Sequence, residues 1–125
     1  MPPFVRVIDF LTIMNELKGG AKEEINYYLN YWDLNDAKNK RLSELSKGML
    51  QKVIITQAFL GEPEVLVFDE ALNGLDYLMQ KKLLELIKSE KKKGKIVIIT
   101  SHYQDYYKKV IDKKLVIDNG VLWES

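Results

Sequence analysis

The sequence has no cysteine and only one histidine, His102, among its 125 residues. The lack of cysteine excludes disulfides, thiolate metal sites and cysteine nucleophiles. Long apolar runs are also lacking, because the longest, Val65–Phe68 and Ile96–Ile99, are far shorter than the roughly 20 residues that span a bilayer. The amino-terminal residues show no signal-peptide pattern. We therefore expect a protein of a soluble, reducing compartment.

The net charge is only +1, but the charges are unevenly distributed along the chain. Residues 81–114 carry 11 of the 19 basic and 4 of the 18 acidic residues. The lysine-rich run Lys88–Lys95 has no arginine, the side chain best suited to phosphate recognition. It also contains Gly94, a residue type typical of helix ends. The run predicts a solvated helix end, and no nucleic-acid partner is expected.

The spacing of apolar residues predicts that the first half of the chain is helical. A first helix begins near Val5 and ends at Gly19, and a second covers residues 22–32. The polar stretch 33–41 predicts a loop or a short helical turn. A third helix begins after the N-cap residue Ser46 and ends at Leu60.

After Pro63 the pattern changes to that of an α/β protein. The apolar runs 65–68 and 95–100 predict strands that are buried on both faces. The amphipathic stretch 76–93 predicts the helix that joins them in a parallel crossover unit. A short helix over 103–110, a strand at 115–117 and a hairpin turn at Asn119-Gly120 complete the predicted elements.

Asp69 and Glu70 end the first strand, at the edge of the sheet where α/β proteins bind ligands. In a nucleoside-triphosphate hydrolase such an aspartate holds Mg²⁺ and such a glutamate polarises the attacking water. The alternative is that both carboxylates are simply solvated where the strand leaves the core. His102 follows the second strand, so we expect it beside this pair, where its imidazole could hydrogen-bond a terminal phosphate.

The segment Leu45–Val53 is a third candidate for phosphate contact. Ser46, Lys47 and Gly48 stand at the predicted amino terminus of the third helix, where unpaired N–H groups and the helix dipole favour an anion. The alternative is that Ser46 is an N-cap and nothing more.

Together these motifs resemble those of the ATP-binding cassette (ABC) ATPases in their order and spacing. The matches are to the family's signature sequence, Walker B strand, D-loop and switch histidine, at Leu45–Val53, Val65–Glu70, Ala71–Asp76 and His102 respectively. Lys47, Met49 and Ala71 depart from the residues that the family usually has at these positions.

The resemblance implies an α/β fold in two parts. A helical subdomain, residues 1–62, would precede residues 63–125, the second half of the ATPase core, with part of a P-loop NTPase-type parallel sheet, flanking helices and a terminal hairpin. The cofactors would be ATP and Mg²⁺. The implied site residues are catalytic Glu70 and His102, the Mg²⁺ carboxylate Asp69, the signature residues Ser46, Lys47 and Gly48 on ATP, and Asp76 at a dimer interface.

No phosphate-binding loop of the form G-x-x-x-x-G-K-S/T occurs in these 125 residues. The resemblance therefore implies the carboxyl-terminal half of an ABC transporter ATPase, inactive alone, whose parent hydrolyses ATP to drive transport. Its partners would be the missing P-loop half, a second nucleotide-binding domain and a transmembrane subunit at the cytoplasmic face of the membrane. Two alternatives stay open: the signature-bearing lobe of an SMC-type DNA-associated ATPase, and a non-catalytic interaction module that keeps the fold.

The resemblance also implies a gap in the sheet. The P-loop strand would lie between the strand that ends near His102 and the strand at 115–117. Because unpaired buried strand edges are costly, we expect either direct pairing of these two strands or another chain in the gap.

Overall fold

Three helices form the first half of the chain in the computed structural model, which describes residues 3–101, 107–118 and 120–124, with the backbone alone for 116–118 and 121–123. They are α1 (Val7–Leu17), α2 (Lys22–Tyr31) and α3 (Lys47–Phe59). Two short 3₁₀ turns, Asn35–Ala37 and Leu42–Glu44, connect α2 to α3. The helical first half and the turn within 33–41 are confirmed. No described helix is both long and apolar enough to cross a membrane.

A long-range bridge and a local capping contact determine where α1 and α2 begin. α1 begins two residues later than expected because Arg6 is extended and forms a β-bridge with Arg41. At the start of α2, the Glu24 side chain accepts a hydrogen bond from the Ala21 N–H at 2.7 Å. Such contacts satisfy N–H groups that lack a partner in the first turn of a helix.

Apolar faces of the three helices pack into one core with the strands that follow. Trp32 and Leu29 are fully buried among the helices. The Phe59 ring lies 5.8 Å from the Tyr28 ring and 5.3 Å from the Phe68 ring, measured between centroids. Phe59 thus links α2 to the first strand, and one cluster of buried apolar side chains includes residues of both halves of the chain.

The second half begins with a strand–helix–strand unit: β1 (Val65–Asp69), α4 (Tyr77–Lys92) and β2 (Ile96–Thr100). The strands are parallel, with Val65 opposite Ile96 and Asp69 opposite Thr100. The predicted parallel crossover unit is therefore confirmed. Its register brings the carboxyl ends of β1 and β2 to the same edge of the sheet.

A hairpin follows, formed by β3 (Leu115–Asp118) and β4 (Val121–Glu124), which pair antiparallel. Gly120 in the turn has a φ of +78°, a conformation that glycine adopts without steric cost. The predicted hairpin is confirmed. Asn119 and residues 103–106 of the predicted short helix lie outside the described residues.

The expectation that β1 and β2 are buried on both faces is wrong. Leu66 and Phe68 are 2% and 3% exposed, because α3 and α4 pack on their side of the sheet. Along a strand, successive side chains point to opposite faces. The side chains on the opposite face are each 48–60% exposed. We term this surface the bare face; it consists of Val65, Val67, Ile96 and Ile98. No element among the described residues covers it.

Direct pairing of β2 with β3 is also wrong. Within the described ranges β2 pairs only with β1, and β3 pairs only with β4. A cavity of about 420 Å³ lies beside β2 and is lined by Ile96, Val97 and Ile99 together with residues 110–113, just before β3. The described part of a single copy therefore leaves a space between β2 and the segment that precedes β3.

The lysines at the end of α4 bond to neighbouring parts of the chain. Lys91 Nζ donates to the Val110 carbonyl at 2.6 Å and pairs with Asp112 at 3.0 Å. Lys95 and Lys93 pair with the buried carboxylate of Glu90 at 2.8 Å and 3.3 Å. The helix ends where expected, but the expectation of a solvated end is wrong for two of these lysines, because the side chains of Lys91 and Lys95 are only 31% and 13% exposed. The Lys91 contacts hold the segment before β3 against α4.

Candidate functional site

The carboxyl ends of β1 and β2 bring the predicted acidic pair to one edge of the sheet. Asp69 lies opposite Thr100, and the Thr100 hydroxyl donates a hydrogen bond to the Asp69 carboxylate. The Glu70 N–H donates to the Thr100 carbonyl at 3.0 Å. His102 is two residues further along but lies outside the described residues, so its place beside the carboxylates stays a prediction.

Glu70 has a left-handed backbone conformation, with a φ of +52°. This region is uncommon for residues other than glycine and costs on the order of 1 kcal/mol or more. A tight turn follows, in which the Asn73 N–H donates to the Glu70 carbonyl at 3.2 Å. Ala71 and Leu72 are each 3% exposed and anchor this turn in the core. The chain thus bends sharply at the residue predicted to be catalytic.

The amino terminus of α3 lies against the loop 71–76, so the structure brings two predicted motifs together. A Cβ atom on Gly48 would lie 2.7 Å from the Gly74 carbonyl oxygen, a distance that excludes any larger residue without a shift. Gln51 Nε2 donates to the Ala71 carbonyl at 2.9 Å. Lys47 is exposed at the same contact. The helix terminus and the loop that follows Glu70 therefore form one unit.

Ser46 and Asp76 both have a structural role as helix N-caps. Ser46 Oγ accepts from the Met49 N–H at 3.2 Å, and Asp76 Oδ1 accepts from the Met79 N–H at 2.9 Å. The predicted N-cap at Ser46 is confirmed. Capping uses an oxygen lone pair, so the Ser46 hydroxyl keeps its proton for a further acceptor.

The acidic pair fits a Mg²⁺ site in which waters and phosphate oxygens supply the other ligands. The Asp69 carboxylate is exposed, and a hydroxyl oxygen lies beside it. Among the described side chains no group of three or more His, Cys, Asp or Glu residues is arranged to hold a metal ion. Mg²⁺ in nucleotide sites is commonly bound by one or two carboxylates together with waters and phosphate oxygens. The donor set suits that arrangement.

Sequence reasoning missed Tyr107, which is buried near the site. Burial, with a smaller contribution from the charge of Glu70, raises the pKa of Tyr107 to about 12. Its hydroxyl is buried and has no hydrogen-bond partner in the part of the chain that the structure describes. A tyrosine in a short polar stretch of sequence carries no signal that would predict this position.

A parallel strand–helix–strand unit whose first strand ends in Asp-Glu, with a helix terminus packed on the loop that follows, is typical of part of an α/β ATPase domain. A family model described as "AAA domain, putative AbiEii toxin, Type IV TA system" matches residues 10–103. A solved structure titled "Structure of ATP binding subunit of ABC transporter" superposes with a TM-score of 0.89 at 26% identity, over 99% of this chain and 55% of that one.

Relatives in sequence are ABC transporter ATP-binding proteins. The chain is 32% identical over 119 residues to the uncharacterized ABC transporter ATP-binding protein MJ1023 of Methanocaldococcus jannaschii, covering 92% of this chain and 45% of the relative. It is 34% identical over 105 residues to the glutamine transport ATP-binding protein GlnQ of Bacillus subtilis, covering 84% and 43%. The chain therefore belongs to the AAA-domain family that this model describes, and it is similar in sequence to ABC transporter ATP-binding proteins.

The chain spans about half the length of the relatives that it matches. The names of these relatives favour a transporter protein over the SMC-type alternative. The family resemblance read from the motifs is thereby confirmed, as is the α/β fold class.

Proposed function

We propose that this chain is the part of an ABC transporter ATP-binding subunit that carries the signature, Walker B, D-loop and switch-histidine motifs. In the whole subunit, ATP hydrolysis would drive transport across a membrane. Residues 1–62 would be its helical subdomain and residues 63–125 the second half of its ATPase core. One observation carries the proposal: the helix terminus at Gly48 packs on the loop that follows Asp69-Glu70.

Within the site, Glu70 is the general base that polarises the attacking water. It is half-buried at the carboxyl end of β1, and its backbone is held by β2 and by the following turn. A fixed base of this kind contributes roughly 10² to 10⁴ in rate. His102, two residues beyond Thr100, contacts the terminal phosphate.

Asp69 is the residue that would hold Mg²⁺, which when bound supplies charge neutralisation at the phosphates. The hydrogen bond from Thr100 fixes one carboxylate oxygen of Asp69. The other oxygen would then bind the ion or its waters. Ser46, Lys47 and Gly48 contact ATP held by a second nucleotide-binding domain, and Asp76 lies at that interface.

The rest of the ATPase domain covers the bare face and fills the cavity beside β2. Two observations support this occupant: the bare face is apolar and up to 60% exposed, and the relatives have about twice the length of this chain. The residues that cradle phosphates would come from that remaining half. The chain alone is therefore inactive, and the complete protein lies at the cytoplasmic face of the membrane with a transmembrane subunit.

The test is Glu70→Gln in the complete ATPase domain, formed from this chain and the half that carries the P-loop. We expect turnover to fall by roughly 10² or more while ATP affinity stays unchanged, because only the proton acceptor is lost. Glu64→Gln, just before β1 on an exposed position, is the matched control. Unchanged turnover in Glu70→Gln would place the base elsewhere, and lost ATP binding would make Glu70 a structural residue.

A further inference from the structure

Gln51 is the side chain that links the signature helix to the residue following Glu70. It lies in α3 and is half-buried. Its Nε2 donates to the Ala71 carbonyl at 2.9 Å, a contact between positions 20 residues apart in the chain. A well-formed hydrogen bond in a partly buried position is worth more than one in water, and an unmade one is costly.

The backbone that Gln51 contacts is the strained part of the site. Glu70 has its φ at +52°, a conformation that persists only where the surroundings enforce it. The Glu70 N–H is held by Thr100, and its carbonyl accepts from the Asn73 N–H. The Gln51 amide donates to the carbonyl of the next residue, so that hydrogen bonds act on the N–H and carbonyl of Glu70 and on the carbonyl of Ala71.

A second glutamine contacts the same loop but further from Glu70. Gln80 Nε2 donates to the Leu75 carbonyl at 3.2 Å and lies 3.5 Å from the Leu72 carbonyl oxygen. Its helix, α4, is capped by Asp76 at the far end of the loop. Gln80 therefore contacts the loop at Leu72 and Leu75, whereas Gln51 contacts Ala71, the residue next to Glu70.

We infer that Gln51 is a positioning residue for Glu70: its side-chain amide keeps the Glu70 backbone in the left-handed conformation and ties it to α3. The role rests on the proposed function, in which Glu70 is the base and the terminus of α3 meets ATP. A displacement of α3 by nucleotide would then reach the base through this one hydrogen bond and through the contact of Gly48 with Gly74.

The first experiment measures amide hydrogen exchange in the 125-residue chain without nucleotide. In Gln51→Glu the carboxylate cannot donate to the Ala71 carbonyl, so exchange at the Glu70 and Asn73 amides should rise about tenfold. Amides within α3 should keep their protection. Gln51→Leu removes the donor without adding charge. If Gln51→Glu unfolds the chain, exchange at the Glu70 and Asn73 amides in Gln51→Leu is the test.

Gln57→Glu is the matched control, because it makes the same chemical change on α3. Its side chain makes no hydrogen bond to the loop 71–76 in the described part of the chain. A second comparison uses Glu70→Gly, since glycine adopts a positive φ without strain. In that background Gln51→Leu should change exchange at Asn73 by less than about twofold, because a glycine at position 70 keeps the left-handed conformation without help from Gln51.

The inference is wrong if exchange at Glu70 and Asn73 stays unchanged in Gln51→Leu, or if Gln57→Glu raises it equally. In the complete ATPase domain, Gln51→Leu should lower kcat about tenfold and change KM by less than twofold, since ATP contacts are untouched. Equal losses in kcat and ATP affinity would mean a merely structural role. The exchange result does not depend on turnover, so failure of the proposed function is distinguished from failure of this contact.

Discussion

Tyr107 shows how a single residue can be structural at neutral pH and destabilising at alkaline pH. Its buried hydroxyl has no hydrogen-bond partner in the described part of the chain, and its pKa is raised to about 12. The unfolded chain ionises its tyrosines near pH 10. The stabilisation from keeping Tyr107 neutral is therefore complete below about pH 10 and is lost as the pH rises towards about 12.

We therefore predict that Tyr107→Phe raises the free energy of unfolding at pH 7 by up to about 1–3 kcal/mol, because it removes a buried hydroxyl whose desolvation no hydrogen bond among the described residues offsets. The variant should also lose less stability than the parent between pH 10 and pH 11. Tyr31→Phe is the control: the Tyr31 hydroxyl donates to the Lys82 carbonyl at 2.7 Å. Its loss should cost about 0.5–1.5 kcal/mol at pH 7. Urea unfolding at pH 7, 10 and 11 measures these changes, and a loss of stability at pH 7 in Tyr107→Phe would contradict the prediction.

At the residue scale, the sequence indicates the candidate site residues more readily than the residues that support them. Asp69 and Glu70 stand out because they follow a wholly apolar strand, at the edge of the sheet where α/β proteins bind ligands. Gln51 and Tyr107 do not, since their roles come from contacts across the fold rather than from any local pattern. The positive φ of Glu70 is likewise invisible, because the turn residues that favour such a conformation, glycine and asparagine, are absent at that position.

Among the elements, α4 depends on its cap. Asp76 accepts the hydrogen bond from the Met79 N–H that begins the helix. We predict that Asp76→Ala lowers the free energy of unfolding by about 0.5–2 kcal/mol, whereas Asp76→Asn, which keeps a capping oxygen, lowers it far less. Denaturant unfolding of the chain alone measures both. Equal losses in the two variants would mean that the charge of Asp76, rather than its cap, stabilises α4.

This pair of variants also separates two proposed roles. If Asp76 acts at an interface between nucleotide-binding domains, Asp76→Asn retains the fold of the chain and reports on the interface alone. A decrease in turnover with Asp76→Ala by itself would carry no such information, because the helix is destabilised as well.

At the element scale, the strand–helix–strand unit and the three first helices were predictable from periodicity and capping residues. The burial of β1 was not. Val65 and Val67 are apolar, but their apolar character does not tell whether the element that covers them belongs to this chain. An apolar run thus predicts a strand that is buried on both faces in the complete domain. The described residues bury only the face that carries Leu66 and Phe68.

For the whole molecule, the bare face predicts an association. We expect the chain to bind the half of the domain that carries the P-loop, and the double variant Val67→Lys with Ile98→Lys to weaken that binding at least tenfold. These side chains are 58% and 49% exposed and lie opposite each other, so the variant should destabilise the chain alone by only about 0.2–1 kcal/mol, through the two like charges. Burying two lysines against an apolar surface opposes the association.

Leu17→Lys is the control for this association, since Leu17 is 76% exposed on α1, away from the sheet. It should leave the affinity unchanged in calorimetric titrations. If the double variant binds as tightly as the parent, the bare face is not where the remaining half docks. A concentration-dependent homodimer that the double variant abolishes would instead assign the face to a second copy of this chain.

The most direct test of the account is Mg²⁺-dependent ATP turnover by the purified chain, measured alone and after addition of the half that carries the P-loop. Positioning and charge stabilisation of the phosphates dominate phosphoryl transfer, and the loop that cradles them is not among these 125 residues. We predict no turnover by the chain alone and turnover after addition, reduced by Glu70→Gln. Turnover by the chain alone that Glu70→Gln abolishes would contradict the account.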